Sequence, residues 1–176
     1  MAEPTIPSQL ALLVDRLLGN CLRSIEDLAK EELNHRPSEQ VNSIGFDIWH
    51  TVRTIDNVIF FVFDREQPVW LRDGFHERFG LPKVAQGTGM DRSDSHQLVF
   101  PEPAEFREYI DAVRSAVIPR IEGMSVEQLA ETVELRPWGE RPKMEHIGQV
   151  LIAHGNGHIG RASMARSLLG KDDLGI

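Results

Sequence analysis

The chain has 176 residues, 41% of them hydrophobic and 26% charged, an ordinary globular composition that excludes a disordered or fibrous class. A formal net charge of −8, with no basic stripe, argues against nucleic acid, whose binding draws on clustered Lys and Arg to release counterions. Cys21 is the one cysteine, so no intrachain disulfide can form; with no signal-like start and no run of about 18 apolar residues, the expectation is one cytoplasmic domain, residues 1–176, with no membrane partner.

From Ser8 to Leu33, Leu10, Leu13, Val14, Leu17, Leu18, Cys21, Leu22, Ile25 and Leu28 recur at the three-and-four spacing of a helical stripe, which predicts a first helix. A polar break, Asn34 to Gln40, contains Pro37. A second helix is predicted over Ser43 to Phe63, with Ile48, Val52, Ile55, Ile59 and Val62 along one side and His50 on the other. Between Asp64 and Pro103 lie Pro68, Gly74, Gly80, Pro82, Gly87, Gly89 and Pro101, too many breakers for a long helix. That stretch reads as an elaborated crossover with a short helix at Phe75 to Phe79 and with Trp70 and Phe79 packed.

A third helix starts near Pro103 and Ala104 and runs through Phe106, Ile110, Val113 and Val117 to Pro119, where proline kinks or ends it. Ser125 to Gln128 has the form of a capping box opening a brief helix. Thr132 to Pro142 reads as an irregular, hairpin-like loop around Trp138 and Gly139. A fourth helix is predicted from Lys143 to Leu169, with Ile147, Val150, Leu151, Ala165 and Leu168 as its apolar stripe and Gly170 as its C-terminal cap. Four long helical patterns and no strand series predict an all-α fold, a four-helix bundle with a long crossover between helices two and three.

His154 and His158 are four apart, so on a helix they stack on one face within reach of a common ion. That face also carries Ile147, Val150, Leu151 and Ala165, so the pair is expected to point into the bundle. An unsatisfied buried imidazole would cost about 1–3 kcal/mol, a need that coordination meets. A spacing of this kind also arises by chance, and a hydrogen-bonded structural pair is the other reading. His50 is the candidate third ligand; Phe46, Thr54, Asn57 and Phe61 share its face, and Phe46, Asn57 and Phe61 are taken as substrate-binding residues. Because the aliphatic stripe lies opposite, the second helix must bury both sides, against the bundle on one and against the crossover or a partner subunit on the other. Asp47 is read as an exposed carboxylate, with acceptance from an imidazole N–H as the alternative. Arg161, three residues after His158, either binds an anionic substrate group or caps the pocket. His35, His76, His96 and His146 are expected to be structural or solvent-facing.

The segments Gly45-Phe-Asp-Ile-Trp-His50 and His154-Gly-Asn-Gly-His-Ile-Gly160, the latter running on to Leu168-Leu-Gly170, resemble the DinB-like superfamily; so does Trp70 to Pro82 in the crossover. The resemblance implies a four-helix bundle, commonly dimeric, whose metal ligands fall on His50, His154 and His158. It also implies a transferase that joins a low-molecular-weight thiol, such as bacillithiol, mycothiol or glutathione, to a small-molecule electrophile, or a thiol-dependent isomerase. The sequence departs from the family at His158-Ile-Gly-Arg161, where H-R-G-Q is common, so the cation has moved. Zinc and nickel both suit imidazole ligands. Cys21 lies on the apolar stripe, so the reactive sulfur is expected from outside. Two other readings stand beside this one: a metal-dependent hydrolase, which lacks the base of H-E-x-x-H because Gly155 follows His154, and a non-catalytic, stress-related binding or dimerisation module.

Overall fold

A computed structural model describes residues 3–175; Met1, Ala2 and Ile176, at the ends of the expected 1–176 domain, lie outside the described residues. Four long helices pack into a bundle: α1 (Ile6–Ile25), α3 (Ile44–Asp56), α7 (Pro103–Glu122) and α10 (His154–Leu168). Between them come short helices α2 (Lys30–Asn34), α4 (Val69–Arg72), α5 (Phe75–Phe79), α6 (Arg92–Ser95), α8 (Val126–Ala130) and α9 (Lys143–His146). Among the described residues, no helix is long and apolar enough to cross a membrane.

The apolar stripe of α1 places Ala11, Val14, Leu17, Leu18, Cys21 and Ile25 at zero or 1% exposure. Each fully buried leucine or isoleucine contributes about 1.5–3 kcal/mol. α1 packs on α7, α10 and α3, and α3 packs in turn on α10 and α7. A capping box at Thr5 and Ser8 starts α1. The helix ends at Ile25, however, and not at Leu33: the chain turns at Glu26 and Asp27 before α2 begins, while Leu28 and Leu33 stay buried.

Every residue of α3 is buried, as a helix covered on two sides must be. Beyond Asp56 it continues as a π-helical stretch, Asn57–Val62. The crossover supplies the second cover. Trp70 stands 6.3 Å from Trp49 and 5.9 Å, edge-on, from Phe79 between ring centroids, and its Nε1–H donates to the Pro82 carbonyl at 3.1 Å. Asp56, fully buried at the end of α3, accepts from the Val69 and Trp70 amides at 2.8 and 2.9 Å and from the Tyr109 hydroxyl at 3.0 Å. Burial raises its pKa, and these donors and Arg53 oppose the rise.

Pro119 lies inside α7, which runs on to Glu122. The Ser125 capping box opens α8. Thr132–Leu135 and Gly139–Pro142 form a two-stranded antiparallel hairpin, β1 and β2, more regular than the loop expected there. His146 donates from Nε2 to the Val133 carbonyl at 2.9 Å, tying the hairpin to α9 and giving that histidine a structural role. The fourth helical segment is divided: α9 passes through a π-helical stretch, Ile147–Ala153, into α10. At the far end the Gly170 amide bonds to the Ser167 carbonyl and the Lys171 amide to that of Arg166, the pairing of a Schellman cap.

Candidate metal centre

Ser43 caps α3 by accepting from the Phe46 amide at 3.2 Å, which puts Asp47 in the first turn and His50 one turn further on. Close approach of α10 brings the other two histidines to it. A Cβ on Gly155 would meet Leu17 at 2.7 Å and Thr51 at 3.4 Å, so glycine lets α10 settle onto α1 and α3 at this level. The ring centroid of His158 lies 4.5 Å from those of both His50 and His154, and His50 to His154 is 5.2 Å. One nitrogen from each ring lies within 4.8 Å of the other two, a group able to hold a metal ion.

The remaining nitrogens decide which lone pairs are free. A carbonyl can only accept, so His50 donates from Nδ1 to the Gln86 carbonyl at 2.5 Å, leaving Nε2 with its lone pair when the ring is neutral. His158 donates from Nδ1 to the Asp47 carboxylate at 2.7 Å, and its Nε2 lies 3.0 Å from Nε2 of His154. Outer acceptors that fix ring and tautomer in this way are the usual support of metal-bound histidine. Among the described residues, Nδ1 of His154 is buried without a hydrogen-bond partner. The donor set therefore fits a divalent ion favoured by imidazole.

Burial lowers the His50 pKa to about 4; the Gln86 hydrogen bond opposes the shift, and the neighbouring imidazoles add to it. His154 is lowered as well, by burial and then by His158. For metal-free protein the sign follows from linkage. The unfolded chain takes up a proton at His50 below about pH 6.5, whereas the folded chain resists until about pH 4, so this stability is complete above 6.5 and is lost as pH falls through that window. Each pH unit of the window costs about 1.4 kcal/mol for one such group. Urea unfolding at pH 7 and pH 5 should show the loss, and His50→Gln should have the shallower pH dependence; equal slopes would contradict it.

Asp47 is nearly fully buried, not exposed as its sequence position suggested, and it joins His158 to Arg161. Arg161 donates from Nε and Nη2 to the same carboxylate oxygen at 3.2 and 3.0 Å, and its Nη2 also contacts both ring nitrogens of His158, at 3.1 Å from Nε2. The guanidinium is half-exposed. His154 is itself only half-buried, so the pair does not point wholly into the bundle. The π-helical stretch just before it has wider turns than the 3.6-residue wheel and changes the direction in which residue 154 emerges.

Phe46 stacks on His50 at 6.0 Å with 15° between ring planes, and Thr54 is buried one turn beyond His50. Asn57 and Phe61 are not brought to the triad. They follow His50 by about 10 and 16 Å along the helix axis, and Phe61 is half-exposed beneath Arg65. Three neighbours of the triad were missed. Gln86 acts through its backbone carbonyl, so its side-chain type gives no signal. Gly87, at φ +97°, approaches so closely that a Cβ would meet Nδ1 of His50 at 2.8 Å. Trp138, at the hairpin turn, presents its ring edge-on to His154 at 5.6 Å.

A family model described as the DinB superfamily matches residues 14–162, more than half of the chain. The chain belongs to the DinB superfamily. A crystal structure described as that of the conserved protein of locus from Enterococcus faecalis is similar to this DinB member, with a TM-score of 0.83 and 19% identity over 96% of this chain and 100% of that one. At that identity the likeness shows the shared fold. No curated protein matches the chain.

Proposed function

We propose that this DinB-superfamily chain is a metal-dependent thiol transferase. In this reading His50, His154 and His158 hold one zinc or nickel ion, and a low-molecular-weight thiol such as bacillithiol or mycothiol is joined to a small-molecule electrophile. The observation that carries the reading is the convergence of three imidazoles, two of which have their second nitrogen engaged by Gln86 and Asp47. A cytoplasmic, single-domain homodimer belongs to the same proposal.

A divalent ion held there would supply the charge that favours a thiolate over a thiol. The chain's own residues do the rest. His50, with its pKa lowered to about 4, stays neutral at physiological pH and so presents a lone pair. Asp47 orients the His158 ring, while Trp138 borders the partly exposed His154. Cys21 is fully buried, and burial pushes its thiol pKa well up, so the nucleophilic sulfur comes from the bound thiol. Its S–H proton leaves to solvent, the sulfur–carbon bond forms, and the leaving group departs with its electron pair. The hydrolase reading lacks an obvious general base: Asp47, the carboxylate in contact with the triad, is engaged by His158 and Arg161.

The test is a panel of low-molecular-weight thiols with a generic aryl halide. Turnover should require both a thiol and the metal, and a chelator should abolish it. Turnover that proceeds without thiol would contradict the transferase reading.

A further inference from the structure

A groove of about 310 Å³ runs between α10 and the loop that precedes α3. Val41, Met164, Ala165 and Leu168 line it, with Asp47 and Arg161 at one end. Three of these apolar side chains are open to solvent, Val41 at 40%, Met164 at 67% and Leu168 at 63%. A cluster of exposed large apolar residues around one concavity is the pattern of a binding site, and the volume is at the small end of the roughly 300–1,000 Å³ of small-molecule pockets.

The charge at its end selects the occupant. Asp47 is nearly fully buried, and its Oδ1 is held by His158 and by Nε and Nη2 of Arg161. Both charges border the groove, but the Asp47 side chain is 4% exposed and the guanidinium 55%, with Nη1 outside those bonds. A planar guanidinium with donors to spare recognises a carboxylate, and the apolar walls accept a hydrocarbon chain.

We propose that this groove binds an apolar monocarboxylate, its carboxylate on Arg161 and its chain along Val41, Met164 and Leu168. None of the three histidines lines this groove, although Arg161 touches His158 at its end, and the proposal does not depend on the thiol-transfer reading.

Titration calorimetry of the full-length protein with octanoate tests it. Saturable, submillimolar binding is expected. Arg161→Gln and Met164→Glu should each weaken it by about tenfold or more, and 1-octanol, which lacks the charge, should bind at least about tenfold more weakly than octanoate. Met164 is a surface residue, so its variant should keep the wild-type Tm and metal content; a groove failure is then distinct from a failure of the metal centre. No saturation at millimolar octanoate, or affinity unchanged in both variants, would overturn the proposal. So would a dimer that Met164→Glu dissociates and octanoate leaves intact, since a second copy would then cover the groove.

Discussion

Asp56→Ala is expected to destabilise the protein by about 3–5 kcal/mol, the cost of removing one partner from a buried charge pair. Arg53 is 2% exposed, with Nη1 3.8 Å from the Asp56 carboxylate and its guanidinium over the Trp70 ring at 5.0 Å. Alanine would leave that cation buried without its counter-charge, and would orphan the Val69 and Trp70 amides and the Tyr109 hydroxyl. Those amides open α4, where the crossover returns to cover α3, so the loss should spread to the segment that brings Gln86 to His50. Urea denaturation checks it, and a cost below about 1 kcal/mol would show that the carboxylate does not anchor the crossover. Asp56→Asn, which keeps one acceptor oxygen, should fall between alanine and wild type.

The second large effect is on metal affinity. Asp47→Ala should lower it about 10–100-fold, the usual result of removing the acceptor behind a metal-bound histidine. The variant leaves Nδ1–H of His158 without its acceptor and frees the ring to turn. Asp47→Asn retains an oxygen for that N–H but not the charge, and should lose less. Competition with a chromogenic chelator gives the affinities, with thermal unfolding as the control for folding. Affinity equal to wild type in the alanine variant would mean that Asp47 has no part in presenting His158.

Much of this was legible in the sequence because helical periodicity reports burial. The α1 stripe from Val14 to Ile25, the two-sided burial required of α3 and the pairing of His154 with His158 follow from spacing, but Leu13 and Leu168, assigned to the stripes of the first and fourth helices, are 42% and 63% exposed. The errors have the same source. Leu28 and Leu33 keep the apolar rhythm after the backbone of α1 has stopped, so the rhythm carried the predicted helix to Leu33. The two π-helical stretches have no signature in a pattern read at 3.6 residues per turn; one of them leaves His154 half-exposed. Phe61 shares the His50 face on a helical wheel, but a wheel discards distance along the axis. The burial of Asp47 depends on Arg161 and His158, more than a hundred residues away in sequence, and could only be posed as an alternative. The Gln86 carbonyl is invisible to any argument from side chains.

The most direct measurement is elemental analysis of the purified full-length protein beside His154→Ala. Residue 154 is half-exposed, so the variant should fold. The wild type should carry close to one first-row divalent metal per chain, and the variant should have lost it. Equal metal content in the two proteins, or none in either after growth and dialysis with zinc or nickel, would contradict the assignment of these imidazoles as ligands.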